Sequence, residues 1–138
     1  LAQRGVRVTL LDAAEGPASG ASGNRAGVLY PQITKHATPA SRFGLAAFAH
    51  TRRLLAQHGT PHASPGMLKT PKDAKENERL RTLPWHPDIA HHCEQAEASS
   101  LLGVPLPSGG LWFPQGTWLN PQALVAALLA HPYITSHY

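Results

Sequence analysis

The chain has 138 residues, and 12 Lys and Arg against 8 Asp and Glu give it a net charge of +4 with histidine neutral. This length suits one domain, and a hydrophobic content of 42% excludes an intrinsically disordered chain. Charged residues make up only 14% of the sequence, so we expect further polypeptide to cover part of its surface. The mild basic excess is compatible with a polyanionic partner such as RNA.

In chain order, the first thirty residues show the pattern of a nucleotide-binding α/β protein. Residues 1–5 are predicted to close a helix capped by Gly5, and residues 6–12 to form a buried strand of a parallel sheet. That strand ends at Asp12, and a loop of small residues, 13–27, follows it. In such proteins the acid accepts hydrogen bonds from ribose hydroxyls. The loop, with few side chains, brings backbone N–H groups close to a pyrophosphate.

One part of the nucleotide-binding pattern is absent. A dinucleotide fingerprint places G-x-G-x-x-G about 20 residues before its acid, whereas Asp12 is only the twelfth residue. We therefore expect the chain to be a fragment that lacks the first strand and most of the first helix.

The remainder of the chain mixes short strands with helices, which predicts an α/β fold whose second half is α+β. Thr38 is a predicted N-cap, and Gly59 ends the helix that Thr38 begins. Asn120 is predicted to cap the last helix, with Pro121 at its first position. The predicted segments are an extended piece at 28–32, a helix at 39–58, a turn and strand at 64–70, a helix at 72–83 ended by residues 84–87, a helix at 94–102 capped by Gly103, a strand at 111–114, a turn at 115–119, a helix at 122–130 and a strand from 134.

Metal and hydrolase chemistry are both poorly supported. Cys93 is the only cysteine, so no intrachain disulfide can form, and we expect a reducing, cytoplasmic compartment. His91 and His92 precede it, but adjacent residues point apart on a strand or a helix, so we expect no metal site. Ser22 matches a G-x-S-x-G nucleophile motif only loosely, because Asn24 stands where the second glycine belongs. No apolar stretch approaches the roughly 18 residues of a membrane span, so we expect no membrane contact.

Three aromatic residues, Trp112, Phe113 and Trp118, lie close together in the sequence. They have the flat surfaces that hold a ring or a base, but core packing at a pair of strands is the favoured interpretation. The basic pair Arg52-Arg53 is interpreted as a solvated helix face and not as a nucleic-acid surface.

Two stretches resemble the FAD-dependent oxidoreductases of the D-amino acid oxidase type. The first covers residues 5–31, and the second, 116–124, is similar to the G-x-x-(D/N)-P-x-x-L segment of that family. Residues 23–31 further resemble the oxidoreductase half of bifunctional enzymes that modify the wobble uridine of tRNA. Residues 109–118 resemble the pattern G-x-x-Y-P-x-G-G-W of those enzymes, with Phe113 in place of the tyrosine and Thr117 in place of the second glycine.

The resemblance implies an amine oxidation with FAD as cofactor. A flavin takes a hydride from the carbon beside a secondary amine, and water hydrolyses the resulting imine. This removes the carboxymethyl group from 5-carboxymethylaminomethyl(-2-thio)uridine at the wobble position of tRNA. The resemblance also implies tRNA as partner and an upstream methyltransferase domain that uses S-adenosylmethionine. By the same resemblance, the residue that binds the substrate carboxylate is expected beyond residue 138, so we expect the fragment alone to be inactive.

The resemblance also assigns residues and domains. Residues 1–37 are expected to be part of a Rossmann-like FAD-binding domain, and residues 38–138 part of a mixed-sheet substrate domain. Asp12 would bind the adenosine ribose, and Ser22 and Asn24 would lie near the pyrophosphate and ribityl chain. The residues that approach the flavin ring would be Arg25, Ala26, Gly27 and Val28.

Two alternatives remain open. The chain could belong to an amino acid or glycine oxidase of the same fold that acts on a free small-molecule amine. It could also be a non-catalytic α/β interaction module whose small-residue loop is only a turn. A tRNA-binding surface would separate the first alternative from the tRNA enzyme, and absence of flavin would favour the second.

Overall fold

The computed structural model describes residues 1–84 and 88–138, and the predicted mixed α/β fold is confirmed. The helices are α1 (Pro39–His58), α2 (Ala74–Arg81), α3 (Gln95–Leu102) and α4 (Pro121–Leu129), with 3₁₀ turns at Ala2–Arg4 and Ala21–Gly23. The strands are β1 (Val8–Leu11), β2 (Gly27–Leu29), β3 (His62–Ala63), β4 (Met67–Lys69), β5 (His91–Cys93), β6 (Gly110–Phe113), β7 (Thr117–Leu119) and β8 (Ile134–His137).

Within the described residues the strands pair in three small sheets. Strand β1 runs parallel to β8, with Val8 opposite Ile134 and Leu11 opposite His137. The second sheet has the order β2-β7-β3, and the third has the order β4-β6-β5 with antiparallel neighbours. The predicted parallel pairing of the first strand is therefore confirmed.

The chain divides into two compact units. The first unit comprises residues 1–28, 51–63 and 118–138, and the second comprises residues 29–50 and 64–117. The earlier assignment of 1–37 to a FAD-binding domain and 38–138 to a substrate domain stays a prediction.

Strand β6 carries the core of the second unit. All four of its residues are buried, because β4 and β5 flank its two edges while α2 and α3 pack on its two faces. Successive side chains of a strand point to opposite faces. Leu111 and Phe113 accordingly pack with Leu80 of α2 in one buried cluster, while Trp112 packs with Ala98 of α3 in another.

Several helix ends follow the predicted sequence signals. The N–H of Ser41 donates to Oγ1 of Thr38 at 3.1 Å, and the N–H of Ala123 donates to Oδ1 of Asn120 at 3.1 Å. Gly5 and Gly103 adopt the left-handed conformation, with φ of +79° and +69°, where a glycine ends a helix without steric cost. Residues 1–5, predicted to be the end of a helix, form a 3₁₀ turn and not an α-helical one.

Two predictions about strands are wrong. Strand β1 is not buried: its side chains alternate between half-buried and exposed, because a two-stranded sheet covered on one face leaves the other face open. Residues 115–119 are not only a turn, because β7 occupies Thr117–Leu119 and pairs with β3. Burial of Thr117 and Leu119, with Trp118 between them exposed, gives this segment the alternation of a strand.

The predicted helix end at residues 84–87 lies largely outside the described residues. In the ranges 1–84 and 88–138, no helix combines the length and the apolar character needed to cross a bilayer.

Candidate functional site

Asp12 lies immediately after β1, at the carboxyl end of the parallel pair. Its backbone N–H donates to the carbonyl of His137 at 3.1 Å, which fixes the residue at the end of β8. One carboxylate oxygen, Oδ1, accepts the N–H of Ala14 at 3.0 Å, and the side chain is exposed. A carboxylate has about four acceptor positions. Asp12 therefore retains the capacity to accept hydrogen bonds from a diol at this strand end.

The small-residue loop is held in shape by its own backbone. The N–H of Gly23 donates to the carbonyl of Gly20 at 2.9 Å, which closes the 3₁₀ turn. Asn24 donates through Nδ2 to the carbonyl of Ala21 at 3.2 Å. Ala18 adopts φ of +59°, a conformation that residues other than glycine rarely occupy. Ordered turns of this kind present the outward side chains of the loop in fixed positions.

The two stretches that the sequence singled out separately lie in contact within the first unit. A β-carbon on Gly27 would lie 3.0 Å from Cγ of Pro121, and a β-carbon on Gly23 would lie 3.9 Å from Nε2 of Gln122. The 3₁₀ turn of the loop thus packs against the start of α4. Glycine at position 27 lets the backbone of β2 approach the Pro121 ring.

The predicted site residues are mostly exposed. Asp12 lies on the β1–β8 pair, and the others lie in one segment that leads from the 3₁₀ turn into β2. Val28 is 60% exposed although it is apolar, and Gly27 beside it is half-buried. The exposed members of this segment are Ser22, Asn24, Arg25, Ala26 and Val28. Hydroxyl, amide, guanidinium and apolar groups are therefore presented together.

The His91–Cys93 segment has a structural role in β5. His92 and Cys93 are buried, and Sγ of Cys93 donates to the carbonyl of Gly110 at 3.5 Å. Burial raises the pKa of the Cys93 thiol and lowers the pKa of His92, so both groups favour their neutral forms. In the described part of the chain, no three His, Cys, Asp or Glu side chains come together as metal ligands would.

The aromatic residues separate into two environments. Trp112 and Phe113 are 8% and 2% exposed, which confirms the prediction of core packing for both. Trp118 is 45% exposed, so that prediction is wrong for this residue. The alternation along β7 explains the difference, because Thr117 and Leu119 take the inward positions.

The second unit contains a cavity that the sequence did not reveal. Its volume is about 380 Å³, and aromatic, aliphatic and cationic side chains line it. Tyr30 lies against Phe113, with ring centroids 5.2 Å apart and planes inclined by 59°. Lys35, Lys69 and Arg79 supply three cations. These positions have no regular spacing, so only the fold brings them together.

Glu76 holds two of those cations at the edge of the cavity. Its carboxylate lies 3.6 Å from Nζ of Lys69 and 3.1 Å from a guanidinium nitrogen of Arg79. The backbone N–H of Lys72 also donates to it, at 3.0 Å. This N–H lowers the pKa of Glu76, and the two cations lower it further, so the carboxylate is ionised at neutral pH.

Comparison with known proteins supplies the family. The sequence pattern described as "FAD dependent oxidoreductase" matches residues 1–132, which is nearly the whole chain. The chain belongs to the FAD-dependent oxidoreductase family. The resemblance seen in the two sequence stretches is thereby confirmed.

Curated members of this oxidoreductase family extend far beyond the chain. It is 44% identical over 138 residues to the tRNA 5-methylaminomethyl-2-thiouridine biosynthesis bifunctional protein MnmC of Pseudomonas putida (strain GB-1), covering 97% of this chain and 21% of that protein. The MnmC of Pseudomonas aeruginosa (strain PAO1) is 45% identical, with 98% and 21% covered. That of Methylobacillus flagellatus is 39% identical, with 98% and 22% covered. The chain spans about a fifth of the length of these relatives.

Proposed function

We propose that this chain is part of a FAD-dependent oxidoreductase that removes the carboxymethyl group from 5-carboxymethylaminomethyl(-2-thio)uridine at the wobble position of tRNA. The contact of Gly27 with Pro121 carries the proposal, because it joins the two family stretches in one unit. The similarity to the MnmC proteins, whose name states a role in tRNA 5-methylaminomethyl-2-thiouridine biosynthesis, supports the choice of substrate.

The residues present fit the groups of FAD. The exposed Asp12 carboxylate at the end of a parallel strand is suited to accept hydrogen bonds from the adenosine ribose. Ser22 and Asn24 offer hydroxyl and amide groups for the pyrophosphate and ribityl chain. Arg25 offers a planar cation, and the exposed Ala26 and Val28 with the half-buried Gly27 between them suit the edge of an apolar ring system.

Asp12 and the 22–28 segment would hold FAD, which would supply a hydride acceptor for the substrate carbon beside the secondary amine. Loss of that hydride, with its electron pair, would leave an imine in the substrate, because the nitrogen lone pair would form the C=N bond. Water then adds to the imine carbon and cleaves the C–N bond, which yields the aminomethyl nucleoside and glyoxylate. The residues named here bind and orient the cofactor and take no proton in this scheme.

The domain assignment, FAD and tRNA belong to the same proposal. Residues 1–37 would be part of the FAD-binding domain and residues 38–138 part of the substrate domain of a larger protein. As the resemblance to tRNA-modifying enzymes implies, that protein would also carry a methyltransferase domain that uses S-adenosylmethionine, and the word bifunctional in the relatives' names supports a second activity.

The test compares two classes of substrate, tRNA and free amino acids, with the intact natural protein. We expect it to convert carboxymethylaminomethyluridine in tRNA to the aminomethyl form, as measured by mass spectrometry of digested nucleosides. We expect no oxidation of free glycine or sarcosine under the same conditions. Oxidation of free amino acids with no change in tRNA would contradict the proposal and favour a small-molecule amine oxidase.

A further inference from the structure

We propose that the cavity of the second unit binds one nucleotide of an RNA strand, with its base against Tyr30 and its phosphate at Lys35, Lys69 and Arg79. The inference rests on the proposed function, because it names how tRNA would be held. It concerns residues outside the segment assigned to FAD, and it identifies Tyr30 and Lys35 as tRNA-binding residues.

The apolar side of the cavity suits a flat ring. Tyr30 is 37% exposed, so its ring is available to a ligand, while its other surface lies against Phe113, which is only 2% exposed. The buried Pro31 follows Tyr30 and restricts its backbone to extended geometry. A ring held on one side and open on the other is a stacking surface for a nucleobase.

The polar side carries a surplus of positive charge. Lys35, Lys69 and Arg79 line the cavity, and Glu76 at its edge neutralises one of the three charges. Two positive charges thus remain beside the aromatic surface. A phosphodiester carries one negative charge and accepts hydrogen bonds from both Lys and Arg. The volume of about 380 Å³ is that of a small-ligand site.

A nucleotide combines the two chemistries that this cavity offers. Glycine and sarcosine have no ring to stack on Tyr30, and an apolar ligand would leave the positive charge in excess of Glu76 without a counter-charge. Since a single strand can turn one base outward onto an aromatic side chain, the unpaired loops of tRNA are the parts that this cavity would accept.

The test measures the affinity of the intact protein for an unmodified tRNA transcript. Tyr30→Ala is expected to raise the Kd about tenfold or more, and Tyr30→Phe to leave it within about twofold, because the ring and not the hydroxyl stacks. Lys35→Gln is expected to raise the Kd roughly three- to tenfold and to lower the salt dependence of log Kd by about 0.7, the contribution of one single-strand phosphate. The matched control is Arg53→Gln, which removes one exposed charge from α1 and should leave the Kd within about twofold.

Two readouts keep the outcomes apart. Equal affinities for wild type, Tyr30→Ala and Lys35→Gln would overturn the inference, as would a wild-type protein without affinity for tRNA. The visible spectrum of the same samples reports the flavin independently. If the protein contains flavin and the cavity variants bind tRNA as tightly as wild type, this inference is refuted and the oxidoreductase proposal stands.

Discussion

Gly27 and Pro121 meet so closely that a β-carbon on the glycine would lie 3.0 Å from Cγ of the proline. Pro121 is the first residue of α4, and Gly27 is the first residue of β2. The family segment around Asn120 thus fixes the position of the loop that we assign to FAD. A substitution that disturbs this contact should therefore weaken cofactor binding more than it destabilises the rest of the fold.

Gly27→Val tests that dependence. The added side chain has no room beside Pro121, and overpacking of this kind costs about 1–3 kcal/mol and displaces the backbone. We expect the purified intact protein to contain much less FAD per chain, measured by absorbance. Gly16→Val is the matched control, since a β-carbon at Gly16 meets nothing within 4 Å. Equal FAD content in both variants would show that the contact does not position the cofactor segment.

Asp12→Asn tests the ribose assignment. Asparagine keeps an oxygen for the N–H of Ala14, so the turn after β1 is preserved while the charge is lost. Hydrogen bonds to charged groups contribute about 1.5–3 kcal/mol, so the Kd for FAD should rise roughly ten- to hundredfold. Fluorescence quenching of added FAD measures it. Glu15→Gln removes the neighbouring exposed carboxylate as a control. A similar rise in the Kd for FAD in both variants would show that the change in net charge, and not a contact with the ribose, weakens binding.

The helix ends on which the sequence prediction relied were largely predictable. Gly5, Thr38 and Asn120 are local signals, and each acts through a hydrogen bond or a φ value within a few residues. The small-residue loop and the acid before it are visible in the sequence, and their assignment to FAD stays a prediction. The helix caps and the segment of candidate FAD ligands therefore follow from local chemistry.

Features that depend on distant residues were not predictable. Strand β7 becomes a strand through its pairing with His62 and Ala63 of β3, which local sequence does not encode. The cavity in the second unit joins positions from 30 to 113, and no spacing in the sequence relates Lys35 to Lys69. Burial of Trp112 but not Trp118 also depends on which neighbouring strands and helices cover each face.

Ala18→Gly should stabilise the protein. Ala18 has φ of +59°, and an L-residue in the left-handed region costs roughly 1–2 kcal/mol that glycine avoids. The greater flexibility of glycine in the unfolded chain offsets part of this gain, so we expect a net gain of about 0.5 kcal/mol. We therefore expect Ala18→Gly to have a higher melting temperature than wild type. Ala13→Gly, at a position without positive φ, should lower it, and the same change in both variants would contradict the expected relief of strain.

Asn120→Ala should weaken the start of α4. Oδ1 of Asn120 accepts the N–H of Ala123, and loss of such a cap costs about 1 kcal/mol. We expect a lower melting temperature and a smaller FAD content, because α4 supports the loop at Gly23 and Gly27. Asn120→Asp keeps the acceptor and should retain both properties. If the aspartate variant were as impaired as the alanine variant, the cap would not be the cause.

His92 should make the protein less stable in mild acid. Burial lowers its pKa below the ordinary value of 6.5, so the unfolded chain binds more protons than the native one as the pH falls through that value. Nε2 is buried and makes no hydrogen bond in the described part of the chain. When the pH is lowered from about 7.5 to about 5.5, the melting temperature of wild type should fall further than that of His92→Gln, whose side chain does not titrate. A difference that stays constant with pH would show that His92 does not titrate in this way.

The most direct test of the account is the visible absorption spectrum of the purified intact protein. We expect bands at ~370 and ~450 nm, those of an oxidised flavin whose ring the protein binds and tunes. A protein that is colourless and takes up no added FAD would contradict the assignment of Asp12 and the 22–28 segment to the cofactor.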